Sequence, residues 1–107
     1  MNKTFEVVWT KTAETDLVKI LEHIALDSLE NALLILQKIK TDVSKLYQSL
    51  ESCRIVPELS AQGITLYRDM IVNPWRIMYR IQNSKVYVLS VLDSRQNVED
   101  MLLRRFI

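Results

Sequence analysis

The residues with the most to say about chemistry are arginines set at strand spacing in the C-terminal part of the chain. Arg68, Arg76, Arg80, Arg95, Arg104 and Arg105 all fall there, interleaved with Asp69, Asp93 and Glu99. A guanidinium is a permanent cation with a planar fork of donors, suited to phosphate or carboxylate. In Trp75-Arg76-Ile77-Met78-Tyr79-Arg80-Ile81 the alternation of a strand puts Ile77, Tyr79 and Ile81 on one face and Arg76, Met78 and Arg80 on the other. The first face suits a core and the second an anionic partner. Arg76 and Arg80 would stand about 13 Å apart along the strand, too far to grip one phosphate but able to bracket a longer acidic surface. The alternative is cross-strand pairing with Asp69, Asp93 or Glu99, which would neutralise the patch. Arg95 follows Asp93 by two residues, so these either pair with each other or serve an interface. Arg104 and Arg105 read as solvated, or as favourable charges at a helix C-terminus.

Other side chains narrow the chemistry. Trp9, among apolar neighbours, belongs in a core, whereas Trp75, after Pro74 at a turn, is the exposed contact candidate. Met78 shares the arginine face and offers an adaptable contact. Cys53 is the only cysteine, which excludes an internal disulfide and a thiolate metal cluster and leaves a small apolar side chain. His23, the only imidazole, sits among the charges of a helix and reads as a surface residue. No metal or cofactor is expected.

The chain of 107 residues fits a single domain, 1–107. With 49% hydrophobic and 25% charged residues it has a globular composition, and no apolar run approaches the roughly 20 residues of a membrane span. No secretory signal is visible after Met1, so the cytoplasm is the expected location. The net charge of +1 lacks the basic excess of a protein that lives on phosphate contacts.

The elements that must position these residues follow from pattern. Thr4 to Trp9 is β-branched and aromatic, a first strand. Thr10 is an N-cap for a helix from Lys11 to about Ala25 or Leu26, with Ala13, Leu17, Ile20, Leu21 and Ile24 at helical spacing. Asp27 with Glu30 resembles a capping box opening a second, long helix whose stripe runs through Ala32, Ile35, Leu36, Ile39, Val43, Leu46, Tyr47 and Leu50. The short link makes the two an antiparallel hairpin. Glu51 to Gly63 loses periodicity and reads as a mobile surface loop, with the sheet beginning near Ile64. Turns at Val72-Asn73-Pro74 and Gln82 to Lys85 divide a three-stranded meander, and Asn97 caps a last short helix bearing Val98, Met101, Leu102 and Phe106. The predicted fold is α+β, in the order β-α-α-β-β-β, with the helical hairpin packed on a small antiparallel sheet and helices gathered on one face.

This order, together with Leu66-Tyr67-Arg68-Asp69, Trp75-Arg76-Ile77-Met78-Tyr79-Arg80-Ile81 and Val91-Leu92-Asp93-Ser94-Arg95, resembles the RelE/ParE superfamily of type II toxin-antitoxin toxins, often called plasmid stabilization proteins. The resemblance implies a growth-inhibiting toxin neutralised by a cognate antitoxin whose C-terminal segment wraps it, with a possible dimer within that complex. One branch of the superfamily cleaves messenger RNA on the ribosome; the other targets DNA gyrase without being an enzyme itself. Ribonuclease chemistry of the first kind needs a base, an acid and cations around one phosphate. Arg76 stands where that branch has its phosphate-binding arginine. The lysines of the preceding strand are replaced by Arg68 beside Asp69, and Asp93 stands where relatives commonly have histidine. These departures favour the gyrase-directed branch, with the ribosome-dependent endonuclease and a non-toxic, antitoxin-binding relic as alternatives. The residues expected to meet target or antitoxin are Arg68, Trp75, Arg76, Met78, Arg80, Asp93 and Arg95, with Arg76 catalytic only in the ribonuclease case.

Overall fold

Thr10 joins the first strand to the first helix. In the computed structural model, which describes residues 5–48 and 53–107, its Oγ1 accepts from the Ala13 N–H at 3.3 Å and donates to the Val88 carbonyl at 2.8 Å. Strand β1 (Glu6–Trp9) thus ends and helix α1 (Lys11–Ala25) begins at a cap fastened to another strand. Helix α2 (Leu29–Ser44) is capped by Ser28, whose hydroxyl accepts from the Asn31 N–H at 3.1 Å. The expected cap at Asp27 is displaced by one residue, because the N–H groups of Asp27 and Ser28 both bond back to the Ile24 carbonyl and finish α1 first.

Helix α2 is also shorter than its apolar stripe implied. It ends at Ser44, and a single 3-10 turn at Leu46–Gln48 buries Leu46 completely. Thr4, the Tyr47 side chain, Leu50 and Glu51, all used in the sequence reading, lie outside the described residues.

The stretch read as a surface loop contains a helical turn, α3 (Pro57–Ser60), opened by the proline. Val56 and Leu59 are wholly buried, so this segment is core. Gly63 closes it at φ +80°, a left-handed conformation that glycine adopts without cost from a Cβ.

Strands β2 (Arg68–Val72), β3 (Trp75–Gln82) and β4 (Lys85–Asp93) form the expected antiparallel meander, starting at Arg68 rather than near Ile64. Asn83 turns β3 into β4 at φ +58°, a position asparagine tolerates better than most residues. Strand β1 then lies parallel to β4, giving a mixed sheet in the order β1-β4-β3-β2.

Helices cover both faces, a correction to the expectation of one. The hairpin packs Ala13, Leu17, Ile39 and Val43 on Val72, Trp75, Ile77, Val88 and Val91. Helix α4 (Val98–Phe106), capped by the Asn97 side chain at the Asp100 N–H, crosses to the opposite face. There Val98 and Leu102 join Val56 and Leu59 over Met78 and Leu92. The face assigned to arginines carries enough apolar surface to require a lid, since burying each such side chain is worth about 1.5 to 3 kcal/mol. Among the described residues no helix is long and apolar enough to cross a membrane.

Candidate functional site

The arginine at the start of β3 is held inside the protein. Arg76 is 6% exposed, and its Nε, Nη1 and Nη2 all donate to carboxylates. Nε reaches Asp69 Oδ2 at 2.8 Å on the neighbouring strand, while Nη1 and Nη2 reach the two oxygens of Glu58 on α3 at 2.7 and 2.8 Å. Arg54 grips the other side of Asp69 through Nε at 2.8 Å and Nη2 at 3.2 Å. The bidentate bond from Arg76 holds the Glu58 carboxyl below its ordinary range despite partial burial. Glu58 in turn, with Asp69, raises the Arg76 guanidinium above its usual value. Two cations and two anions cancel, and the cluster bolts α3 to the sheet.

Three of the sequence-predicted contact residues meet elsewhere, at the end of the sheet. Trp75 and Asp93 are cross-strand partners, and together with Arg95 they line a cleft of about 320 Å³ between α1, the β3–β4 end and α4. Trp75 is only 7% exposed; its turn is pinned by Ser94, whose N–H and hydroxyl both donate to the Pro74 carbonyl, so the ring turns under the hairpin instead of into solvent. Asp93 accepts from the Arg95 N–H, Nε and Nη2 at 2.9, 2.9 and 2.8 Å. That pairing keeps the Asp93 carboxyl below its ordinary range.

The opposite wall is α1. Asp16 accepts from Arg105 of α4 at 2.7 and 3.0 Å, and from the Val91 N–H at 3.1 Å. Arg105 also reaches the Ser90 hydroxyl at 3.0 Å, and the carboxylate of Asp16 raises its guanidinium above the usual value. Lys19 and His23 stand exposed on the same wall, over a floor of Ile20, Ile24, Leu92 and Met101. The two carboxylates are each neutralised by an arginine, leaving the lysine and the outward sides of the guanidiniums to set the sign of the cleft. It is equipped to hold an anionic group beside apolar surface. Among the described residues no group of three potential metal ligands comes together.

The remaining predicted residues are dispersed. Arg68 lies on the hairpin side, donating through Nη1 to the Cys53 carbonyl at 2.6 Å. Met78 is completely buried beneath α3 and α4. Arg80 is half-buried opposite Tyr87. Sequence reasoning missed Asp16 and Lys19 and set His23 aside, although the spacing Asp16, Lys19, Ile20, His23, Ile24 marks one side of a helix.

A second feature lies across α1. Val18, Leu21, Ala25, Leu29, Leu33 and Leu36 line an apolar groove of about 230 Å³ along the hairpin, and Val18, Leu29 and Leu33 are 51%, 65% and 57% exposed. Exposed side chains of this size in one patch mark an interaction surface.

Comparisons with known proteins agree with this architecture. The family model described as ParE toxin of the type II toxin-antitoxin system parDE matches residues 7–98. A solved structure titled "Chromosomal ParDE TA system from P. aeruginosa" superimposes with a TM-score of 0.71 at 22% identity, covering 86% of this chain and 98% of that one. At that identity the likeness speaks to the fold alone. No curated protein matches the chain in sequence.

Proposed function

This chain belongs to the ParE toxin family of type II toxin-antitoxin systems, and we propose that it arrests growth by acting on DNA gyrase, not by cleaving messenger RNA. The observation that carries this reading is the state of Arg76. The one residue in register with a ribonuclease phosphate ligand spends its Nε, Nη1 and Nη2 on Asp69 and Glu58 inside the fold. Freeing it would break its bidentate bond to Glu58 and leave the fully buried Asp69 to the half-exposed Arg54 alone. In the neighbouring cleft Asp16 and Asp93 are engaged by Arg105 and Arg95, which leaves no carboxyl poised to donate a proton.

Family membership implies an antitoxin partner, and the hairpin groove is where we place it. An antitoxin segment that is disordered alone would fold as an amphipathic helix, with apolar anchors on Leu29, Leu33 and Val18. The protein acts in the cytoplasm in this reading, where gyrase and antitoxin both reside.

The test is gyrase supercoiling with purified protein, run beside ribosome-programmed messenger RNA cleavage. The expected result is loss of supercoiling or trapped cleaved DNA, with intact RNA. Cleaved RNA with normal gyrase overturns the proposal in favour of the endonuclease, and undisturbed growth on induction overturns it in favour of a non-toxic relic.

A further inference from the structure

Helix α1 is a partition between two unlike surfaces. Val18, Leu21 and Ala25 look into the hairpin groove, and Lys19, His23 and Ile24 into the cleft. At 3.6 residues per turn the centres of these two sets are about 180° apart on the helix. An apolar segment lying in the groove therefore leaves the cleft open.

We propose that this cleft is a binding site for an acidic, partly apolar segment of the target protein, separate from the antitoxin groove; the assignment to the target rests on the gyrase reading above. Charge sets the sign of the ligand. With His23 neutral the lining carries Lys19, Arg95 and Arg105 against Asp16 and Asp93, one positive charge in excess. Shape and polarity set its class. The floor of Ile20, Ile24, Leu92 and Met101 rewards an apolar side chain next to the carboxylate. The same lining argues against a nucleic acid strand. The whole chain carries only +1, little for a strand of phosphates, and the one indole of the lining is buried at 7% exposure, leaving no stacking platform. A short peptide segment meets these conditions, and a polyphosphate chain does not.

The probe is a blocked hexapeptide of sequence Glu-Phe-Glu-Asp-Leu-Glu, titrated into isotope-labelled protein while the amide signals of the whole chain are followed. Comparators are the same peptide with glutamine and asparagine for the acids, and a single-stranded DNA hexamer. The acidic peptide is expected to move Lys19, His23, Arg95 and Gln96, the neutral peptide to bind about tenfold more weakly, and K19E/H23E to lose a similar factor at an unchanged thermal midpoint. Tighter DNA binding at the same signals overturns the proposal in favour of nucleic acid, as does peptide movement confined to Val18 and Leu29 or absent altogether. K19E/H23E is then added to gyrase. Full inhibition by this variant overturns the target assignment. Peptide bound at the cleft by a wild-type protein that leaves gyrase untouched supports the site and overturns only the gyrase reading.

Discussion

The buried carboxylate of Asp69 takes both Nε and Nη2 of Arg76, at 2.8 and 2.7 Å, across the turn that joins β2 to β3. Asp69 has no exposed side-chain surface and Arg76 has 7%, so the pair is a part of the core made of charges. Removing Arg76 leaves Glu58 without its bidentate partner and the buried Asp69 with the half-exposed Arg54 alone. Arg76→Met should therefore lower stability by about 3 to 5 kcal/mol, read from urea unfolding, and adding Asp69→Asn should restore part of the loss. A cost under about 1 kcal/mol would mean that the network is incidental and that Arg76 is available for other work.

Acid should loosen the same region, and the sign follows from Glu58. Its folded pKa is depressed by Arg76 below the ordinary 4.5, so the folded state gains stability above that value and loses it as pH falls through the lower folded pKa. Comparing Tm for the wild type and Glu58→Gln across pH should show a gap that is full at pH 6 to 7 and closes below about 4.5. A gap that stays constant with pH would detach Glu58 from the effect.

Leu59 distinguishes a loop from a core. A solvated loop leucine tolerates truncation within about 0.5 kcal/mol. Leu59 is wholly buried with Met78, Leu92 and Leu102, so Leu59→Ala should cost about 2 to 5 kcal/mol in denaturant titration. A value near zero would return the segment to the surface.

For the groove, affinity and stability should part company. Leu29→Asp and Leu33→Asp alter side chains that are 65% and 57% exposed and should leave unfolding within about 0.5 kcal/mol of the wild type. Each should nevertheless weaken antitoxin binding by at least about tenfold by calorimetry, since a carboxylate would be buried against apolar anchors. Unchanged affinity would move the antitoxin off the hairpin.

Much of the architecture is legible in the chain, because its signals are local. Thr10 and Asn97 cap where their side chains suggest, α1 ends where its stripe ends, and the two polar turns cut the meander correctly. What local pattern could not supply is which groups meet across the fold. Alternation put Arg76, Met78 and Arg80 on one face, as it does, yet says nothing of a lid, and four-residue α3 is too short to show a period. Cross-strand pairing with Asp69 stands among the alternatives for Arg76, but Glu58 becomes its partner only once α3 folds over the sheet. The same limit applies to the cleft. Asp93 and Arg95 stand two apart in sequence, so their mutual pairing is one of the alternatives open, but Asp16, Lys19 and His23 reach that place from the far end of the chain.

The bond from Val91 to Asp16 bears on the open edge of the sheet. Strand β1 covers β4 only from Lys85 to Val88, and the rest of that strand has an open flank. Open flanks recruit strands from other molecules. Here the Val91 N–H is occupied by the Asp16 carboxylate, and Arg105 leans over the same place with its charge. An incoming strand would have to evict an ion pair and pair with backbone already in use. The contact that fastens α1 to α4 thereby guards the sheet against self-association, as a salt bridge standing where a fifth strand would dock.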